Sequence, residues 1–115
     1  MSAASQSVTV VISSTIQSGK METAKEALHK VISTVLETEK ACQQIEVFDD
    51  PDNPQQLLII EAWDSKEVFL GPHMETAHMQ AFMKLAASFI QGQPEFTFWN
   101  KVISAAKATP NNDKR

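Results

Sequence analysis

The chain has little cysteine, little glycine and no long apolar run, and each shortage excludes a class of protein. Its 115 residues include one cysteine, Cys42, so no disulfide can form within the chain, which fits a reducing compartment. We expect Cys42 to be a small buried hydrophobic residue. The three glycines are isolated, so the chain has no glycine-rich loop for binding phosphate. No apolar segment approaches the roughly 20 residues that a membrane-spanning helix needs.

Positive charge is not concentrated in any segment of the chain. The 10 basic and 14 acidic residues give a net charge of -4, and no basic patch stands out. We therefore expect no nucleic-acid partner and no binding to a membrane. The first seven residues lack the positive region and the apolar core of a signal peptide, which predicts a cytoplasmic protein.

What the chain does contain is the pattern of one small folded domain. Residues 1–7 are small and polar, and we predict that they are disordered. The folded domain is predicted over residues 8–103. Residues 104–115, rich in alanine, asparagine and lysine, are predicted to form a flexible C-terminal tail.

Apolar periodicity predicts four strands and two long helices in the order β-α-β-β-α-β. The strands are predicted at residues 8–16, 43–48, 56–63 and 95–103, the helices at 20–38 and 77–90, and a loop at 49–54. A short helix is expected after residue 63, ending at Gly71-Pro72. This order is typical of the ferredoxin-like α+β fold, with helices on one face of an antiparallel sheet. The other face is also apolar, which predicts a homodimer.

The most informative segment runs from residue 61 to residue 82. It places an indole, Trp63, at the end of an apolar strand, and two imidazoles, His73 and His78, around the start of a helix that carries Phe82. An aromatic pocket with a group that exchanges protons near neutral pH suits chemistry on a small molecule.

A set of spaced residues in this segment resembles a known family. The set consists of Glu61-x-Trp63, His73, Thr76-x-His78 and Phe82. With these spacings, and with the element order around them, the chain resembles the antibiotic biosynthesis monooxygenase (ABM) family from about residue 8 to residue 102. The resemblance implies a dimeric α+β barrel in which each sheet packs on its partner's sheet. It also implies a cofactor-free monooxygenase that oxidises a quinol, a phenol or a related polycyclic aromatic with dioxygen.

Within that implied site, we predict that His73 is the catalytic residue, because an imidazole with a pKa near 6.5 can act as a base at neutral pH. The predicted substrate-binding residues are Glu61, Trp63, Phe69, His78, Met79 and Phe82. The sequence leaves open whether Glu61 orients an imidazole or pairs at the strand end, and whether Trp63 and His78 only pack in the core. No metal and no other cofactor is expected, because the two histidines are not spaced as a helical metal pair and the substrate itself supplies the electrons.

Two alternatives remain open at this point. The spacing from Trp63 to His73 also resembles the haem-degrading branch of the family, in which the histidine binds iron. That branch uses an asparagine on the first strand, and residues 8–16 contain none. The second alternative is a non-catalytic dimeric barrel that binds a small molecule without converting it.

Overall fold

A computed structural model describes residues 7–108, which form a four-stranded antiparallel sheet with helices packed on one face. The elements in chain order are β1 (Val8–Ile16), α1 (Met21–Thr38), β2 (Cys42–Asp50), β3 (Asn53–Trp63), α2 (Lys66–Leu70), a 3-10 helix (Pro72–Glu75), α3 (Ala77–Ala86) and β4 (Ile90–Trp99). The strand order is β2-β3-β1-β4. This is the ferredoxin-like α+β arrangement, so the predicted fold class is confirmed.

The predicted segments at the two ends of the chain fall largely outside the described residues. The predicted disordered residues 1–7 lie outside them except for Ser7, and the predicted flexible tail lies outside them except for residues 104–108. Ser7 and residues 104–108 belong to no helix or strand. The domain bounds 8–103 therefore stay a prediction.

Alternating burial along the central strands shows which face of the sheet the helices cover. Every second residue is buried from Val8 to Ile16 in β1 and from Leu57 to Trp63 in β3. The register pairs Val8 with Trp63, so both buried sets lie on the same face. Successive side chains of a strand point to opposite faces, which is why the period of two appears in both strands. Helix α1 contributes Ala24, Ala27, Leu28 and Val35 to the core on this face.

The opposite face of the sheet has a different character. Leu58 and Ile60 of β3 are only half-buried there. On the outer strands of the same face, Phe48 is 45% exposed and Trp99 is 59% exposed. Strand β3 is central in the sheet and carries apolar side chains on both of its faces. A single chain covers only one of them.

The loop predicted at residues 49–54 is wrong in length. Strand β2 continues to Asp50 and β3 begins at Asn53, so the two strands meet in a tight hairpin. Pairing of Asp50 with Asn53 extends the ladder into the segment whose prolines and acids resembled a loop.

The bounds predicted for the last helix and the last strand are also wrong. Helix α3 ends at Ala86 instead of residue 90, and β4 spans Ile90–Trp99 instead of residues 95–103. Long-range pairing ends the helix early, because Ile90 lies opposite Ile16 of β1 and is part of the sheet. Gly92 lies within β4 with a φ of 76°. A positive φ suits a glycine at an irregularity, and the β1–β4 register does shift nearby, between Ser13 and Thr15.

Candidate active site

Two capped helices bring the motif residues from the end of β3 back over the sheet. The Ser65 hydroxyl accepts a hydrogen bond from the backbone N–H three residues later at 3.1 Å, and the Thr76 hydroxyl does the same at 3.2 Å. Such side-chain caps satisfy backbone donors that have no partner within the helix. The Thr76 hydroxyl also donates to the carbonyl of His73 at 2.9 Å. These contacts hold the short 3-10 helix so that His73 points inward and is only 3% exposed.

Trp63, Phe69 and His73 form a packed aromatic cluster. The ring centroids of Trp63 and His73 are 4.3 Å apart, and those of Phe69 and His73 are 5.2 Å apart in a stacked arrangement. Phe69 meets Trp63 edge-on at 5.6 Å. Offset and edge-on contacts are the favourable geometries for aromatic rings. The cluster therefore fixes the plane of the His73 imidazole.

One carboxylate that the sequence analysis did not identify, Glu39, binds both imidazoles. His73 Nδ1 lies 2.9 Å from Glu39 Oε1 and 3.0 Å from Oε2, and His78 Nε2 lies 2.5 Å from Oε2. Glu39 is the residue directly after α1. The pairing of β2 with β3 is the signal that could have identified Glu39, because it places Cys42, three residues after Glu39, opposite Trp63. Once β2 is paired with β3, the end of α1 must lie beside the motif.

The contact with Glu39 and the burial of the ring together set the state of His73. Burial lowers the pKa of His73 below its ordinary value of 6.5, and the hydrogen bond and charge of Glu39 offset only part of that effect. The ring is therefore neutral at pH 7. A carboxylate can only accept, so the neutral ring donates its Nδ1–H to Glu39, and Nε2 keeps a free lone pair.

A cavity of about 390 Å³ lies between the helices and the sheet. Ligand pockets in proteins have volumes of roughly 300–1,000 Å³ and mostly apolar walls. The walls of this cavity are mostly apolar side chains from both layers. The polar side chains in its wall are those of Ser14, Glu61, His73 and Gln93.

Five of the seven predicted site residues line the cavity, and the other two do not. Those that line it are Glu61, Phe69, His73, Met79 and Phe82. Trp63 is fully buried behind the wall, where it supports the His73 ring. His78 is joined to the site only through Glu39. Sequence reasoning missed the contribution of β1 and β4, which supply Ser14 and Gln93.

Glu61 bonds to the indole of Trp63 and not to an imidazole. Trp63 Nε1 donates to Glu61 Oε1 at 2.7 Å, and Glu61 is 8% exposed. Burial raises the pKa of Glu61, the charge of Glu39 adds to that effect, and the bond from Trp63 opposes it. The sequence left open whether Glu61 orients an imidazole or pairs at the strand end. In the structure, Glu39 contacts the imidazoles, and Glu61 pairs with Trp63 at the strand end.

Two further properties concern the described residues as a whole. Within residues 7–108, no group of three or more histidine, cysteine, aspartate or glutamate side chains is arranged to hold a metal ion. None of the helices in the same range combines the length and the apolar character needed to cross a bilayer.

Known structures share this fold. A proposed antibiotic biosynthesis monooxygenase of Bordetella bronchiseptica is 14% identical, with a TM-score of 0.78, and the match covers 85% of this chain and 99% of that chain. A proposed antibiotic biosynthesis monooxygenase of Nitrosomonas europaea is 15% identical, with a TM-score of 0.78 and coverage of 92% and 100%. A conserved protein of Methanosarcina mazei is 20% identical, with a TM-score of 0.75 and coverage of 84% and 94%.

No curated protein sequence matches the chain significantly. The sequence profile of a family described as antibiotic biosynthesis monooxygenase matches residues 7–85, which include β1 and the whole motif segment. This family supports an enzyme of the monooxygenase type, or a small-molecule-binding role, for the cavity described above. The chain belongs to the antibiotic biosynthesis monooxygenase family.

Proposed function

We propose that the protein is a cofactor-independent monooxygenase that oxidises a quinol or a phenolic polycyclic aromatic with dioxygen. The observation that carries the proposal is the state of His73. The ring lies in the wall of an apolar cavity, Glu39 accepts its Nδ1–H, and Nε2 is left with a lone pair. A general base needs this combination of geometry and neutral charge.

The reaction begins with removal of a proton from the substrate hydroxyl by His73 Nε2. The resulting phenolate is electron-rich and passes one electron to dioxygen. The two radicals combine at a ring carbon that carries hydrogen, which gives a peroxide. Loss of one water then leaves a quinone, so a phenol and O2 give a quinone and H2O. One oxygen atom enters the ring, the other leaves as water, and the substrate supplies the electrons.

The protein's share of this chemistry is positioning and shielding. Glu39 stabilises the imidazolium that forms when His73 takes the proton, because the opposite charge lies 2.9 Å away. Phe69 and Phe82 provide flat apolar walls for an aromatic ring. Excluding water protects the radical and peroxide intermediates from side reactions.

The haem alternative fits the cavity less well. Haem carries two carboxylates, and no lysine or arginine lies among the described residues of the cavity wall. The proposed mechanism therefore involves no haem.

The test is oxygen uptake with a panel of hydroquinones and phenols of one to three rings, in protein freed of metal and flavin. We expect quinone to form faster than in a protein-free control, and one atom of 18O2 to enter the product. His73→Gln should lower kcat by roughly 10²–10⁴-fold, the usual contribution of a general base. His29→Gln is the matched control, because His29 is exposed on α1.

The same experiment separates the alternatives. Uptake that is unchanged in His73→Gln would refute the role of His73. Tight anaerobic binding without any uptake in air would identify a non-catalytic binding protein. A Soret band on addition of haem, without quinone turnover, would favour the haem branch.

We further propose that the protein is a homodimer through the uncovered face of the sheet, and that it acts in the cytoplasm. Phe48 and Trp99 are exposed on that face beside the half-buried Leu58 and Ile60. Apolar side chains exposed on an uncovered sheet face are typical of a surface that packs against another protein. Beyond β4, Val102 and Ile103 are also exposed.

The dimer is tested by size-exclusion chromatography with light scattering at low micromolar concentration. We expect twice the mass of the chain for the wild type and a monomer for Trp99→Glu. Leu36→Glu is the control, because Leu36 is an exposed apolar residue of α1 and does not lie on the sheet. A wild type that elutes as a monomer would contradict the proposal.

A further inference from the structure

Glu61 is a buried ionisable group in the cavity wall to which the mechanism above gives no task. Only Oε1 is occupied, by the Trp63 indole at 2.7 Å, and no described residue donates to Oε2. No fully enclosed side-chain oxygen or nitrogen of the described residues lacks a partner, so Oε2 must border open space. The cavity is the open space that Glu61 lines. Oε2 is therefore available to a ligand.

The cavity is also unsuited to negative charge. Among the described residues of its wall there is no lysine and no arginine, and the imidazole of His73 is neutral at pH 7. Burying an anion without a cationic partner is strongly unfavourable, and the carboxyl of Glu61 adds repulsion when it is ionised. The raised pKa of Glu61 shows the same preference, because this environment resists even the charge of the protein's own carboxyl.

From these observations we infer that Glu61 binds a hydroxyl or carbonyl oxygen of the substrate, and that the cavity selects uncharged aromatic ligands against those carrying a carboxylate, sulfonate or phosphate. An ionised Glu61 accepts a hydrogen bond from a phenolic hydroxyl, and a protonated Glu61 donates one to a carbonyl. In both states the ligand enters without charge. This inference rests on the proposed function for the location of the site and specifies its substrate class.

The test compares two ligands that share one ring system and differ in charge. At pH 7, 2-naphthol is neutral and 2-naphthoate is an anion. We would measure the binding of both to the wild-type protein by isothermal titration calorimetry under argon. We expect 2-naphthol to bind at least tenfold more tightly, which corresponds to about 1.4 kcal/mol.

Two variants assign the selectivity to Glu61. Glu61→Gln keeps an oxygen for the Trp63 indole, removes the negative charge and adds an N–H that can donate to a carboxylate. The preference for 2-naphthol should therefore shrink at least threefold. Glu26→Gln removes the same charge from an exposed position on α1 outside the cavity wall and should leave the preference unchanged.

The outcomes are decisive in both directions. Equal affinity for the two ligands, failure of 2-naphthol to bind, or an unchanged preference in folded Glu61→Gln would overturn the inference. The wild-type comparison alone decides the charge selectivity even when the variant does not fold. Because binding is measured without oxygen, a protein that selects 2-naphthol but never consumes oxygen would keep this inference and refute the oxygenase.

Discussion

Glu39 and His73 lie 34 residues apart in the chain, and both carboxylate oxygens of Glu39 are within 3.0 Å of His73 Nδ1. The second oxygen also binds His78 Nε2, so one side chain at the end of α1 connects the two histidines of the motif. A carboxylate behind an imidazole fixes both its tautomer and its orientation. We therefore propose that Glu39 is a positioning residue that acts through His73.

Replacing Glu39 with glutamine should test this positioning role. A hydrogen bond to a charged group contributes about 1.5–3 kcal/mol, so we expect kcat/KM to fall roughly tenfold to a hundredfold. The charge of Glu39 raises the pKa of His73, so in Glu39→Gln the acidic limb of the pH profile should move to lower pH. The measurement is the pH dependence of kcat/KM together with an NMR titration of the His73 ring.

The matched control for that experiment is Glu37→Gln, because Glu37 is an exposed residue of α1 two positions earlier. It should leave both the rate and the titration of His73 unchanged. A Glu39→Gln protein with wild-type activity and an unshifted His73 titration would show that the contact between Glu39 and His73 is only structural.

The buried carboxyl of Glu61 should make stability depend on pH. Its pKa is higher in the folded protein than the ordinary value of 4.5, so the unfolded chain loses its proton first as pH rises. The contribution of Glu61 to the free energy of unfolding is therefore fully present below pH 4.5 and is lost as pH rises through the folded-state pKa. Urea unfolding should show Glu61→Gln gaining stability relative to the wild type as pH increases.

The control for Glu61 is again Glu26→Gln, which removes a carboxyl group from an exposed position on α1 and should not reproduce the gain in stability. Glu39, Cys42 and His73 lie near this carboxyl and are present in both proteins, so their own titrations cancel to first order in the difference. A constant difference between wild type and Glu61→Gln from pH 4 to pH 9 would contradict the prediction.

Cys42 should be chemically inert in the folded protein. Burial, with a further contribution from the charge of Glu61, raises the pKa of its thiol from 9.0 to about 12. At pH 8 the thiolate fraction is then roughly a thousandfold lower than that of an exposed thiol, and the thiolate is the reactive form. Iodoacetamide should modify Cys42 slowly in buffer and rapidly in urea. Complete labelling of the folded protein within minutes would contradict this.

Truncation of Phe69 in the aromatic cluster should be strongly destabilising. Phe69 is 1% exposed and contacts the rings of Trp63, His73 and Phe98. Deletion of a buried phenylalanine ring costs about 3–5 kcal/mol, so Phe69→Ala should lower the free energy of unfolding by that amount. Urea denaturation measures it.

The neighbouring residue provides a control for Phe69→Ala. Leu70 is 52% exposed, so Leu70→Ala should change the free energy of unfolding by only about 0.5 kcal/mol. Equal losses in the two variants would indicate that the cluster around Phe69 is not packed as described.

The sequence was sufficient for the elements whose local pattern and tertiary environment agree. The mostly β-branched run from Val8 to Ile16 predicted β1 with its observed bounds, and the apolar stripe of α1 predicted that helix to within one residue. The helices that carry the motif are capped by the side chains of Ser65 and Thr76, which are residue types that favour this position. In α1 and the two caps the stabilising contacts join residues close in the chain, and in β1 the pairing with β3 agrees with the local pattern.

Local patterns failed where distant residues compete for the same segment. Residues 87–90 continue the apolar pattern of α3, but pairing of Ile90 with Ile16 in the sheet ends the helix at Ala86. The backbone hydrogen bonds of β4 replace those of another helical turn, and only the position of β1 decides between them.

For the site, the sequence alone determined that Trp63, His73 and Phe69 belong to one segment and that an imidazole near an aromatic wall suits chemistry on a small molecule. Only the tertiary structure decided which carboxylate serves which ring. Glu39 reaches His73 because β2 pairs with β3 and returns the end of α1 to the motif, whereas Glu61 turns to its own neighbour Trp63. Hydrogen-bond partners depend on positions in space, and the spacing of residues along the chain does not encode those positions until the sheet is assembled.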